Sequence, residues 1–204
     1  MAGPSSSEAN EPSSGRPSRL GSLLRGLGIV VALACGVALP VIGDARERRT
    51  VSEARIHDIQ GPGHRSALDG QTVTTSGIVT ALRANGFYLQ DPDGDGDPRT
   101  AEGIFVFTGG RPRVAVGDAV VTTGPVAEFV PGGIATGNLS ITQLVRPLVE
   151  VVSSGNALPA AVLIGAGGLA VPSVIDDDGL TVFDPQNDAI DFFEALEGMR
   201  VAIP

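Results

Sequence analysis

The chain has 204 residues and a formal net charge of −9. Hydrophobic residues make up 42% and charged residues 18%, which is enough apolar material for one folded domain with tails. Gly (28) and Pro (15) are frequent while aromatics reach only 4%, a composition that favours short strands and turns over long helices. The acidic balance argues against a stand-alone binder of phosphate backbones. The single cysteine, Cys35, excludes an intrachain disulfide.

Residues 1–45 are typical of a targeting segment. A Ser-, Pro- and Gly-rich start, which we expect to be disordered, leads into arginines and then an uncharged apolar run over 27–42. Small residues at 43–45 resemble a cleavage site. We predict a secretory signal peptide and a secreted, extracellular protein. An uncleaved anchor that leaves the protein membrane-anchored and facing outside is the alternative, and lipidation of Cys35 is a third interpretation.

Residues 46–66 form a lead-in segment, and residues 67–154 alternate short apolar runs with turn residues. The runs rich in Thr, Val, Ile and Phe predict strands. These strands are 72–82, 86–90, 103–109, 116–130, 139–144 and, as a sixth candidate, 147–153. Gly77 predicts a bulge or bend, and Asn85-Gly86 predicts a tight turn. The pattern indicates an all-β fold, an OB-like five- to six-stranded Greek-key barrel.

Residues 155–204 form an irregular tail with one predicted helix over 186–197. Ile190, Phe193 and Leu196 share one face of that helix, which we expect to pack against the barrel. Gly198 is the expected stop.

A short internal echo joins the two ends of this region. Ala67-Leu68-Asp69-Gly70 opens the barrel, and Ala195-Leu196-Glu197-Gly198 recurs near the end of the chain. The echo predicts the start of a second, truncated unit.

The acidic stretch DPDGDGDPRTAE, residues 91–102, fits the D-x-D-x-D-G-x5-E pattern of calcium loops. Calcium prefers six to eight oxygen ligands, and alternate aspartates with a closing glutamate can supply them. The predicted metal ligands are Asp91, Asp93, Asp95, Asp97 and Glu102. The flanking segments are strands and the loop contains two prolines, so it is not an EF-hand. The alternative is a hydrated hairpin loop without an ion.

Catalytic patterns are weak in this sequence. His57 and His64 lie in the lead-in without a third metal ligand, so we expect exposed or locally bonded histidines. Ser66 and Ser76 have no histidine-based triad around them. Gly165-Ala166-Gly167-Gly168 lacks the Lys-Ser/Thr of a phosphate loop. We expect no catalytic set in this chain.

Several phrases in order resemble a known family. IHDIQGPGHRSALDGQTVTTSGIVTA, NGFYLQDPDGDGDPRTAEGIFVFTG, VAVGDAVVTTGPVAEF and DAIDFFEALEGMRV span residues 56–201. They are similar to the N-terminal region of large secreted bacterial nucleases, which join an OB-type domain to a C-terminal endonuclease/exonuclease/phosphatase domain. The resemblance implies a downstream nuclease domain, with its Mg2+ site, beyond residue 204. It also implies DNA or RNA as a partner.

OB barrels bind strands by stacking bases on aromatic side chains and by following the backbone with cations. The predicted nucleic-acid contacts are Tyr88, Phe87, Arg83, Arg99 and Arg111, with Phe105, Phe107 and Arg113 as further candidates. Alternation places Phe105 and Phe107 on one face, and Phe87 and Tyr88 on opposite faces. At least two of these aromatics are expected to fill the barrel instead. The competing hypothesis is a calcium-stabilised structural or protein-interaction module that binds no nucleic acid.

Overall fold

The computed structural model describes residues 51–204, which contain a mixed sheet closed into a barrel. The predicted signal peptide or anchor, including Cys35, lies outside the described residues. Among the residues from 51 onward, no helix combines the length and the apolar character that crossing a membrane requires.

Short strands dominate the secondary structure. The strands are β1 Ser52–Glu53, β2 Thr72–Arg83, β3 Gly86–Gln90, β4 Gly103–Phe107, β5 Ala119–Phe129, β6 Ile141–Val145, β7 Leu148–Ser153, β8 Val162–Leu163 and β9 Val201–Ala202. The helices are α1 Ile56–Gln60, a 3-10 turn at Ile134–Thr136, and α2 Ala189–Glu194. Every strand predicted from the sequence is present.

The barrel closes through the order β2-β3-β4-β6-β5, because β5 pairs again with β2. The β4–β6 pair is parallel and the other pairs of the barrel are antiparallel. Strand β1 extends the edge beside β2, and β7 pairs with β5. This five-stranded Greek-key closure confirms the predicted all-β, OB-like fold.

The barrel interior is filled by alternate residues of the long strands, as the period of two requires. Its core members are Val73, Val79, Phe87, Leu89, Ile104, Val106, Val120, Val126 and Leu144. Helix α1 was not anticipated in the lead-in, yet its Ile56 and Ile59 join the same core with 0% exposure. The three-residue spacing of these isoleucines was the available signal.

Gly77 allows β2 to approach β3 closely, and Gly86 begins β3. Gly77 does not form the bulge predicted there, since the register shift lies between Val79 and Ala81. Instead, a Cβ at Gly77 would lie 2.7 Å from the carbonyl oxygen of Gln90. Strand β3 starts at Gly86, and the turn before it is formed by residues 84–85.

The tail returns to the barrel. A Cβ at Gly103 would lie 2.2 Å from the carbonyl carbon of Gly198, so the two backbones touch directly. The Arg200 N–H donates to Gln90 Oε1 at 2.9 Å, and β8 and β9 form a small parallel pair. The further unit expected from the sequence echo stays a prediction.

Helix α2 is shorter than the predicted 186–197. The predicted buried face is also wrong at Phe193, which is 53% exposed. Asp191 and Phe192 are buried instead. The reason is a hydrogen bond between Asp191 and His64, which fixes a polar residue inward where the apolar pattern favours its neighbours.

Candidate nucleic-acid interface and acidic loop

Aromatic side chains line the outer face of β3 and β4. Tyr88 lies opposite Phe105 in the β3–β4 register, and their ring centroids are 5.1 Å apart with an interplanar angle of 54°. Both side chains are half-buried, as is Phe107 two residues along β4 on the same face. A Cβ at Gly86 would meet the Phe105 ring at 2.6 Å, so the absence of a side chain there lets the ring lie across β3.

Arginines flank one end of this aromatic face. Arg83 ends β2 and pairs with Gly86. The N–H groups of Thr108 and Gly109 donate to the Asn85 carbonyl at 2.9 and 3.2 Å, which brings the chain leading to Arg111 beside the β2–β3 turn. Arg83 and Arg111 are exposed, and within residues 51–204 no acidic side chain forms a salt bridge with either of them.

Burial rules out one of the predicted nucleic-acid contacts, Phe87, and a local ion pair engages another, Arg99. Phe87 has 0% exposure and belongs to the barrel core, because residues adjacent along a strand point to opposite faces. It cannot stack on a base. Arg99 donates to Asp97 through Nε at 3.0 Å and through a terminal nitrogen at 2.7 Å, so its guanidinium is engaged within its own loop.

The acidic loop 91–102 is folded over the carboxylate of Glu102, which is buried. Glu102 Oε1 accepts the Asp95 N–H at 2.8 Å, and His57 Nδ1 donates to Oε2 at 3.1 Å. A Cβ at Gly94 would come within 3.0 Å of Glu102 Oε1, which shows how closely the loop wraps this group.

Arginines neutralise two other carboxylates of the loop. Arg55 donates through Nε to Asp91 Oδ2 at 2.9 Å and also contacts the Asp93 carbonyl. Hydrogen bonds from Arg99 lower the pKa of Asp97 to about 2. Asp91 and Asp97 are therefore paired with arginines and do not join the other carboxylates of the loop in one group.

The predicted metal set is therefore only partly gathered. Asp95 and Glu102 lie together with His57, with one ligand atom of each within 4.8 Å of the others. Asp91, Asp93 and Asp97 are not part of that group. His57 was missed as a neighbour of the loop because 45 residues separate it from Glu102. Short-range spacing carries no signal for such a contact.

A groove of about 690 Å³ lies elsewhere on the barrel, between the Arg55–Asp91 pair and the β2–β5 ladder. Its lining includes acidic residues such as Glu53, Asp58 and Asp93. Tyr88, Phe105 and Phe107 do not line the groove, so it is separate from the aromatic face, and its acidic lining disfavours phosphate.

A family described as a domain of unknown function, DUF8508, matches residues 151–204. No curated protein matches the chain.

Proposed function

We propose that the chain carries a non-catalytic OB-type module of a secreted nuclease, and that the module binds single-stranded nucleic acid on the outer face of β3 and β4. The observation that carries the proposal is the half-buried Tyr88–Phe105 pair, with rings 5.1 Å apart. OB barrels receive oligonucleotides on the face of their second and third strands, which are β3 and β4 in this barrel.

The surroundings of the pair support this function. Tyr88, Phe105 and Phe107 offer successive flat surfaces, and stacking on such rings contributes about 1–3 kcal/mol per base. Arg83 and Arg111 add positive charge at the end of the face beside the β2–β3 turn. At the other end, Gly198 and Arg200 of the tail cover Gly103 and Gln90, so a strand has access from the arginine end.

The overall charge of −9 opposes this binding. Phosphate contacts are therefore few, and stacking supplies most of the affinity. Binding is expected to be weak at physiological salt and to depend less steeply on salt than for a basic domain, because few counterions are released.

The test is fluorescence anisotropy with labelled single-stranded DNA and RNA oligonucleotides of about 15 nucleotides. We expect binding at low salt and a loss of about tenfold in affinity for Tyr88→Ala. Phe193→Ala is the matched control, since it removes an exposed aromatic from α2 and should leave affinity unchanged. Equal affinities for the two variants, or no binding at low salt, would reject the proposal.

A second candidate is a calcium-stabilised structural or protein-interaction module. The fold of loop 91–102 over Glu102, next to Asp95 and His57, and the acidic charge favour it. In this case calcium raises the melting temperature while no oligonucleotide binds. Repeating the anisotropy series with and without calcium separates the two candidates.

A further inference from the structure

A second acidic segment, residues 176–191, lies in the tail and fits no calcium motif. Two groups of carboxylates meet there. The first contains Asp176, Asp178 and Asp188, and the second contains Asp184, Asp188 and Asp191. In each group one oxygen of every member lies within 4.8 Å of the others. A cation bound at 2.3–2.6 Å from each ligand produces separations of about this size.

Asp188 belongs to both groups and is 3% exposed. Its Oδ1 is buried and has no hydrogen-bond partner. Burying a charged oxygen without a partner is costly, and such groups are normally paired or bound to a metal. This unpaired oxygen points to a missing positive partner.

The position of Asp188 at the start of α2 strengthens this point. An aspartate at a helix N-cap ordinarily accepts a backbone N–H from the first turn. Asp188 is the N-cap of α2, yet its side chain makes no capping hydrogen bond. Its carboxylate is instead directed towards the other aspartates.

The neighbouring carboxylates are held in place by backbone donors. Asp176 Oδ1 accepts the N–H of Gly179 at 2.9 Å, and Asp178 Oδ1 accepts that of Thr181 at 2.9 Å. Asp184 presents a second buried oxygen, Oδ1, that has no partner. These contacts preorganise oxygen ligands without neutralising their charge.

Little positive charge compensates this cluster. His64 Nε2 donates to Asp191 Oδ1 at 2.6 Å. Among residues 51–204, no arginine or lysine forms a salt bridge with any of the five aspartates.

We propose that Asp188 is the central ligand of a divalent-cation site, completed by Asp176, Asp178 and Asp184, with Asp191 and His64 orienting the second group. The ligands are all carboxylate oxygens on an irregular segment, which suits Ca2+ better than Mg2+. Mg2+ requires near-ideal octahedral geometry and keeps several waters. The inference is independent of the proposed nucleic-acid binding.

The experiment is calorimetric titration of the full chain with CaCl2 after treatment with a chelator, alongside thermal unfolding with and without calcium. The wild type should bind calcium and melt at a higher temperature in its presence. Asp188→Asn keeps the shape of the side chain and should weaken binding about tenfold or more, since even outer-shell changes weaken metal sites by that factor.

Glu150→Gln is the control, because it removes one negative charge at an exposed residue of β7 that belongs to neither group. It should bind like the wild type. Glu102→Gln distinguishes this site from loop 91–102 and should leave the Asp188-dependent heat intact.

If Asp188→Asn is too unstable to assay, Asp176→Asn provides the same test from the other side of the first group. Wild-type affinity and stoichiometry in whichever of these two variants folds would overturn the proposal, as would no calcium heat that depends on Asp188 or Asp176. Stronger binding of Mg2+ than of Ca2+ would overturn the assignment of the ion.

Discussion

The two acidic segments share one local design. In loop 91–102, Glu102 accepts the N–H of Asp95 with one oxygen and contacts His57 with the other. In segment 176–191, Asp191 accepts the N–H of Asp184 with one oxygen and contacts His64 with the other. In both cases the N–H comes from a residue seven positions earlier. Each segment is therefore folded over a buried carboxylate that a histidine supports.

The segments differ in how their remaining charge is balanced. Arg55 and Arg99 pair with Asp91 and Asp97 of the loop. In the tail, burial raises the pKa of Asp188. The negative charges of Asp177 and of other nearby aspartates raise it further. Two carboxylates of the segment with the calcium-like spacing are paired with arginines, whereas the segment without the motif retains unpaired buried oxygens. Spacing along the chain thus does not identify which carboxylate oxygens are left without a partner.

The largest effect on stability should come from separating the tail from the barrel at the point where their backbones touch. In Gly103→Val the new side chain would collide with the backbone of Gly198, which lies 2.2 Å from a Cβ at this position. We expect a loss of about 3 kcal/mol in the free energy of unfolding, as for severe overpacking. Limited proteolysis should then cleave the tail before the barrel.

Gly110→Val is the control for this prediction, since a Cβ at Gly110 meets no atom within 4 Å. It should melt close to the wild type. If both variants melt at the same temperature, the Gly103–Gly198 contact does not hold the tail on the barrel.

The barrel could be predicted from sequence because its signals are local. Runs of β-branched residues bounded by turn residues define β2 to β7 with errors of a few residues.

The candidate site could be predicted from the sequence only in part. Alternation correctly places Phe105 and Phe107 on one face and Phe87 and Tyr88 on opposite faces, but it does not say which face is the outer one, and it gives no information on the Arg99–Asp97 pairing. The contact of Asp191 with His64 spans 127 residues, so the pattern of the sequence alone does not reveal it.

The pH dependence of stability should distinguish the tail from the loop. Burial and the charge of Glu128 raise the pKa of Glu194 to about 7, and burial with the charge of Glu194 raises that of Glu197 to about 8. A raised carboxyl pKa favours the folded state below the unfolded value of about 4.5, and this advantage is lost as pH rises through the folded value. We expect a melting temperature lower at pH 9 than at pH 5 by on the order of a few degrees.

The loop carboxylate Asp97 behaves in the opposite sense. Its lowered pKa of about 2 favours folding above about pH 3.9, and this contribution is lost as pH falls through the folded value. Between pH 5 and pH 9 it is therefore constant. Glu197→Gln should flatten the alkaline decrease, whereas Asp97→Asn should leave it unchanged. A decrease of wild-type size in Glu197→Gln would show that the tail glutamates do not cause it.

The smallest effect should come from giving the loop the charge imbalance of the tail. Arg55→Gln removes the cation that lies 2.7 Å from Asp91 Oδ2. Because the arginine is exposed, the loss of stability without calcium should be small. The freed carboxylate should strengthen calcium binding by the loop, so calcium should raise the melting temperature of this variant more than that of the wild type. Arg65→Gln is the matched control, since it breaks an exposed pair with Asp69 away from the loop. If calcium raises the melting temperature of both variants equally, then Arg55 does not compete with a cation, and charge balance is not what separates the two segments.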